Sequence, residues 1–142
     1  MLENSAHEQS ALHILQPPTW ARPRGYSNGV SASASGRLVF ISGQIGWDEQ
    51  DRFPSSDFVN QVRQTLQNVL TVLAEAGGRP EHLVRLTWYI VDKHEYLSRS
   101  KEIGAVYREL MGNHYPSMSA VQVAALIEDM ARVEIEATAV LP

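Results

Sequence analysis

Two carboxylates stand two residues apart in the run Val133-Glu134-Ile135-Glu136-Ala137-Thr138 near the end of the chain. In a strand that spacing puts Glu134 and Glu136 on one face with their Cα atoms roughly 6–7 Å apart. The distance brings glycoside hydrolysis to mind, but a glycosidase normally draws its two carboxylates from different strands. A single glutamate that positions or activates a water fits the residue type better. The competing reading is a solvated sheet face, and the sequence leaves both open. The second candidate is Ser42-Gly43-Gln44-Ile45-Gly46. It lacks the third glycine of a dinucleotide fingerprint and the Lys-Ser or Lys-Thr of a phosphate loop. A glycine inside or just after a strand marks a bulge or a close backbone approach. The alternative is that Ser42 and Gly43 offer hydroxyl and backbone groups to a ligand.

Other chemistries are excluded or unsupported. With no cysteine there is no thiol nucleophile and no Cys-ligated zinc or iron–sulfur site. The five histidines, at positions 7, 13, 82, 94 and 114, show no ligand spacing, so no metal site is expected. A net charge of −4 gives no basic footprint for nucleic acid or anionic lipid. No stretch has the length or apolarity of a signal peptide or membrane span, and the expectation is a soluble, cytoplasmic protein.

The elements that must position these residues follow from periodicity. At 142 residues the chain is one ordinary domain, able to bury about 68–70% of its unfolded surface without disulfides or metal. Met1 to Gln16 reads as a loose leader, and Pro17-Pro18 and Pro23 keep the entry extended; residues 1–22 are assigned to this leader and 23–142 to the domain. Tyr26 to Ser33 and the strand opening at Leu38-Val39-Phe40-Ile41 read as a β-hairpin across Ser35-Gly36. Phe58, Val62, Leu66, Val69, Leu73 and Ala76 recur at helical spacing, after an N-cap at Ser55, Ser56 or Asp57 and before Gly77-Gly78.

His82 to Asp92 alternates as a strand, with Val84, Leu86, Trp88 and Ile90 on one face and Leu83, Arg85, Thr87 and Tyr89 on the other. Tyr96 to Met111 is a second helix, and Tyr115 to Pro142 supplies two more strands, the second with Val133, Ile135, Ala137 and Ala139 opposite its glutamates. Trp20, Trp47 and Trp88 read as packing residues. The order β-β-α-β-α-β-β is that of an α+β two-layer sandwich, a mixed sheet with two helices on one face. The apolar character assigned to the second face of the Leu83–Tyr89 strand then needs a cover, and a closed homo-oligomer is the simplest.

Taken together, Gly25-Tyr26-Ser27, Phe40-Ile41-Ser42-Gly43-Gln44-Ile45, Leu73-Ala-Glu-Ala-Gly-Gly78, Thr87-Trp-Tyr-Ile-Val-Asp92 and Val133-Glu-Ile-Glu-Ala137 resemble the Rid family, also called YjgF, over Pro23 to Pro142. The resemblance implies a chorismate-mutase-like fold and a homotrimer whose clefts lie between subunits. It implies cofactor-free hydrolysis of small reactive imines or enamines, such as 2-aminoacrylate, to 2-oxo acids and ammonia. Position by position, Tyr26 matches a tyrosine that closes over the ligand, Ser42 and Gly43 the turn lining the cleft, and Glu134 the glutamate that holds the attacking water.

Three positions depart from that pattern. Met118 stands where the deaminases carry the arginine that grips the substrate carboxylate, and a thioether offers no bidentate fork. Gly104 replaces an asparagine, and Ala120 a cysteine. Arg24, two residues before Tyr26, is the candidate substitute for the lost cation. The candidate set is therefore Glu134 as catalytic base, with Arg24, Tyr26, Ser42, Gly43, Met118 and Ser119 as ligand-binding residues. The function expected is hydrolysis of an imine or enamine other than the usual 2-iminoacid. A non-catalytic metabolite-binding trimer is the alternative, and a ribonuclease or translation inhibitor is disfavoured by the acidic balance.

Overall fold

The computed structural model describes residues 12–33 and 35–142. Strands β1 (Leu12–Leu15), β2 (Gly29–Ala32) and β3 (Arg37–Ile45) come first, followed by helix α1 (Phe58–Glu75). Strand β4 (Leu83–Ile90), helices α2 (Lys93–Ser98) and α3 (Ser100–Met111), and strands β5 (Ser117–Gln122) and β6 (Val133–Leu141) complete the chain. The main sheet runs β3-β6-β4-β5, parallel between β4 and β5 and antiparallel elsewhere. One face carries the helices, so the molecule is the mixed α+β arrangement that the element order implied.

The core lies between that face and α1 and α3. Val62, Leu66, Val69 and Leu73 of α1 meet Leu86, Trp88, Ile90, Val133 and Ile135 of the sheet. Helix α1 starts where Asp57 accepts a hydrogen bond from the Asn60 N–H at 3.0 Å, the Ncap device that satisfies an orphan donor. It stops where Gly77 turns left-handed at φ +79° and Gly78 N–H returns to the Leu73 carbonyl. Gln61, 1% exposed, ties the loop before β6 to α1. Its amide donates to Ser55 O and Met130 O, and its oxygen accepts from Arg132 N–H.

Several expectations are corrected. The expected hairpin is absent: β2 pairs with β1, while β3 pairs with β6. The link between β2 and β3 therefore passes from one sheet to another. Gly36 sits so close to β6 that a β-carbon there would lie 2.1 Å from Leu141 O. Within the leader assigned to residues 1–22, Leu12–Leu15 is a strand, and residues 1–11 lie outside the described residues. The second helix is two, broken at Arg99, whose guanidinium is drawn into a fork with Asp57 and Glu102 at 2.6 and 2.7 Å.

Register also shifts between Leu83 and Arg85, so Leu83 turns into the core and the second face of β4 carries Arg85, Thr87 and Tyr89. The apolar load on the open sheet face comes instead from Leu38 and Phe40, 62% and 75% exposed. Trp20 is 61% exposed rather than packed.

Candidate functional site

On the open face of the sheet, β6 alternates Val133, Ile135 and Ala137 inward with Glu134, Glu136 and Thr138 outward. Glu134 stands opposite Ile45 on β3 and Tyr89 on β4. The β3–β6 register slips between Ile41 and Gln44, so Ser42-Gly43 is a bulge, as the glycine signalled. That bulge faces the carboxylate directly: a β-carbon on Gly43 would lie 2.0 Å from Glu134 Oε1. Only glycine leaves the carboxylate where it is. Among the described residues no side chain hydrogen-bonds or pairs with Glu134, which leaves both oxygens free to accept. Glu136 is occupied differently, accepting the Tyr89 hydroxyl proton at 2.8 Å. That hydrogen bond holds the Tyr89 phenol above its ordinary range, with burial and the Glu136 charge as smaller contributions. The two carboxylates thus have unequal roles, one engaged and one unengaged.

On the opposite, helix-bearing face lies a cavity of about 290 Å³ between α3 and the start of β5. Met118 points to this side because it is in register with the core residue Leu86. Arg24 reaches the same cavity. Its segment is fixed by the hydrogen bond of Ser27 N–H to Pro116 O at 3.0 Å and that of the Ser27 hydroxyl to Tyr115 O. The walls are aromatic: Trp88 meets Tyr96 edge-on at 6.1 Å, and Tyr107 stacks on Tyr115 at 5.3 Å. Burial raises the phenol pKa values of Tyr96 and Tyr107. The Tyr107 hydroxyl donates to His114 O at 2.7 Å, which ties the end of α3 to the entry of β5.

The candidate residues therefore fall into separate groups within one chain. Arg24 and Met118 share the helix-side cavity. Ser42, Gly43 and Glu134 gather on the open sheet face, and Ser119, in register with Thr87, lies on that face too. Tyr26, 40% exposed, lines a third depression with Arg22 and His114 and does not join either group. Sequence reasoning overlooked Arg108, which lines the cavity beside Met118, and treated Trp88 as packing alone. The signal was available: Gly104 and Arg108 are four apart on one helix, hence neighbours on its surface.

Among the described residues no three His, Cys, Asp or Glu side chains group as metal ligands, and no helix is long and apolar enough to cross a membrane.

Comparison with known proteins bears on this arrangement. The profile of the family described as endoribonuclease L-PSP matches residues 19–141. A RutC family protein of Haemophilus influenzae is 33% identical over 111 residues, 78% of this chain and 85% of the relative. TdcF of Escherichia coli, provisionally named a reactive intermediate deaminase, is 35% identical over 108 residues, 74% of this chain and 80% of that protein. Among solved structures, YyfB of Yersinia pestis, a Rid family protein described as of unknown function, superposes with a TM-score of 0.82 at 30% identity, covering 92% of this chain and 99% of its own. TdcF from E. coli, solved with bound serine, gives 0.64 at 31% identity, with 92% and 99% covered.

Proposed function

Because the chain belongs to the endoribonuclease L-PSP family, that of the Rid or YjgF proteins, we propose that it hydrolyses a small reactive imine or enamine in a cleft formed between copies of itself. The observation carrying this reading is the Glu134 carboxylate, unengaged among the described side chains and lodged against the bare backbone of Gly43. In the proposed reaction Glu134 takes a proton from a water as its oxygen adds to the imine carbon. The resulting carbinolamine keeps the nitrogen, which receives that proton from Glu134. Collapse of the carbinolamine releases ammonia and leaves the carbonyl. An enamine first tautomerises to the imine, taking a proton from water at carbon and returning one from nitrogen. General-base assistance of this kind contributes roughly 10²–10⁴-fold.

A homotrimer is part of the proposal. Leu38 and Phe40 form an apolar patch on the open face, and a second and third copy laid against it would cover them. Such packing also offers a route by which the helix-side cavity of one copy and Glu134 of another come together, which one chain alone does not achieve. Met118 supplies no carboxylate grip at its strand position, so the substrate differs from the usual small 2-iminoacid. The test is ammonia release from an enzymatically generated panel of imines. Glu134→Gln is expected to lower kcat at least about a hundredfold; equal rates for the two proteins would end the hydrolase reading.

A second reading, a non-catalytic trimer that binds a metabolite, is favoured by the helix-side cavity lying on the other face of the sheet from Glu134. It predicts ligand-dependent stabilisation with no turnover. Ribonuclease activity, which the family description names, has less support, since a net charge of −4 provides little for a phosphate backbone.

A further inference from the structure

Glu134 and Gly43 meet where the sheet holds them least. Among the described residues β3 pairs only with β6, so it is an edge of the main sheet. Its ladder breaks between Ile41 and Gln44, and past the bulge only Gln44 opposite Ile135 and Ile45 opposite Glu134 remain before the strand ends. So short a run at a strand end frays readily unless something outside the sheet grips it. The grip comes from one polar ridge of α1. Gln61, Thr65 and Asn68 are spaced by four and three residues and so share a side of that helix. Asn68 Nδ2 donates to Ile45 O at 2.9 Å and to Trp47 O at 2.8 Å, while Asn68 Oδ1 accepts from Gln64 Nε2 at 2.9 Å. A β-carbon on Gly46 would lie 2.8 Å from both Cβ and Cγ of Gln61, so the chain leaving β3 rests against the Gln61 stem. The Gln61 amide reaches the other strand. Its Nε2 donates to Met130 O at 2.9 Å and Ser55 O at 3.1 Å, and its Oε1 accepts from Arg132 N–H at 2.8 Å, two residues before Glu134. At 1% exposure solvent does not compete for these bonds. The other holds on Arg132, from Val91 N–H to its carbonyl at 3.3 Å and from Glu95 to its guanidinium, do not involve β3.

We infer that Gln61 is a positioning residue for the reaction proposed at Glu134, with Asn68 as its second anchor. Together they set the gap between the Glu134 carboxylate and the Gly43 backbone, because one helix holds the end of β3 and the start of β6 at once. This role rests on the reading of Glu134 as a base. Gln61 itself touches no reacting group; its effect travels through the backbone of Arg132 and Gly46. The amide suits the task because two carbonyls and one N–H need two donors and one acceptor, which a primary amide carries on a single head group. Methionine matches its length and makes none of these bonds. With the amide gone, the two strand ends are free to shift against each other, and a displacement of about 1 Å at a reacting group can cost 10²-fold.

The experiment uses the full chain and the imine panel, with rates divided by the folded fraction from urea unfolding. Gln61→Met is expected to lower kcat about ten- to a hundredfold while KM stays within about threefold. That variant leaves three buried backbone groups unpaired, so Asn68→Ala is the second probe. Asn68 is only half-buried, water can replace its bonds, and kcat should fall about three- to tenfold. Thr65→Val is the control: it lies on the same ridge, its hydroxyl has no partner, and kcat should stay within about twofold. Each probe is then combined with Glu134→Gln in a double-mutant cycle. A residue that acts through the carboxylate should add less than about threefold to the loss from Glu134→Gln alone. In ¹⁵N-labelled protein the Gly43 amide signal should move in Gln61→Met and Asn68→Ala and stay in place in Thr65→Val. Losses that multiply in the cycle, an unchanged kcat in the probes, a raised KM at constant kcat, or an unmoved Gly43 signal each overturn the positioning role and leave the base intact. Equal rates for wild type and Glu134→Gln, zero included, remove the base and the positioning role together.

Discussion

Gly43 and Glu134 form one unit. The carboxylate occupies space that any larger residue at 43 would claim, because a β-carbon there would come within 2.0 Å of Oε1. The crowded atom is the far end of a flexible side chain, so the fold should tolerate Gly43→Ala while the carboxylate turns aside. A displacement of about 1 Å at a reacting group can cost 10²-fold. Gly43→Ala is therefore expected to lower kcat about a hundredfold while changing stability by less than about 1 kcal/mol; ammonia release and urea unfolding measure the two. A stability loss matching the activity loss would show that the glycine serves the sheet and not the base. At this scale the sequence was informative about residue type. It marked Glu134, Ser42, Gly43 and Arg24, yet could not show that Glu136 is engaged by Tyr89 while Glu134 is not, since that depends on a strand 47 residues distant.

At the scale of elements, α1 and the junction of α2 and α3 share one charged knot. Asp57 caps α1 and accepts from Arg99 at 2.6 Å, and Arg99 also binds Glu102 at 2.7 Å. The Arg99 hydrogen bond first, then the Asn60 N–H, hold the Asp57 carboxyl below its usual range. A depressed folded pKa means the contribution is present above the unfolded value and disappears as pH falls through the folded one. Asp57→Ala should cost about 1 kcal/mol at pH 7, the typical loss of an N-cap, with the ion pairs adding little because they are exposed to solvent. Wild type and variant should converge as pH falls through that lowered folded value. Urea midpoints at pH 7 and at acidic pH check this, and a constant gap across that range would rule out the carboxylate as the cause.

The helix itself was legible because its stripe, cap and terminal glycines all agree. The hairpin between β2 and β3 was not, because a turn signal at Ser35-Gly36 says only that the chain bends, not which strand it meets afterwards. The break at Arg99 was equally hidden, since the residues that hold it include one at the start of another helix.

For the whole molecule, a half-covered sheet leaves an apolar patch that the proposed assembly would cover. Phe40 is 75% exposed and Leu38 62%, side by side with the glutamate-bearing face. If three copies bury this patch, Phe40→Asp places a charge in the seam and should shift the protein toward monomer, as read by sedimentation velocity. Imine hydrolysis should fall with it, because the proposed site draws on the helix-side cavity and on Glu134, which lie on opposite faces of each chain. A monomeric wild type that nonetheless turns over an imine would refute the shared cleft and leave Glu134 acting alone.

Alternation and helical spacing determined by themselves the α+β class, the inward and outward sides of β6, and the cap and end of α1, because these are set within a few residues along the chain. Even the family could be read from the order of short motifs. Pairing partners, the register slip that buries Leu83, and the placing of Arg24, Trp88, Met118 and Arg108 around one cavity were decided only in three dimensions. Those features arise from contacts between segments tens of residues apart, where packing and unsatisfied polar groups, not local propensity, choose the outcome.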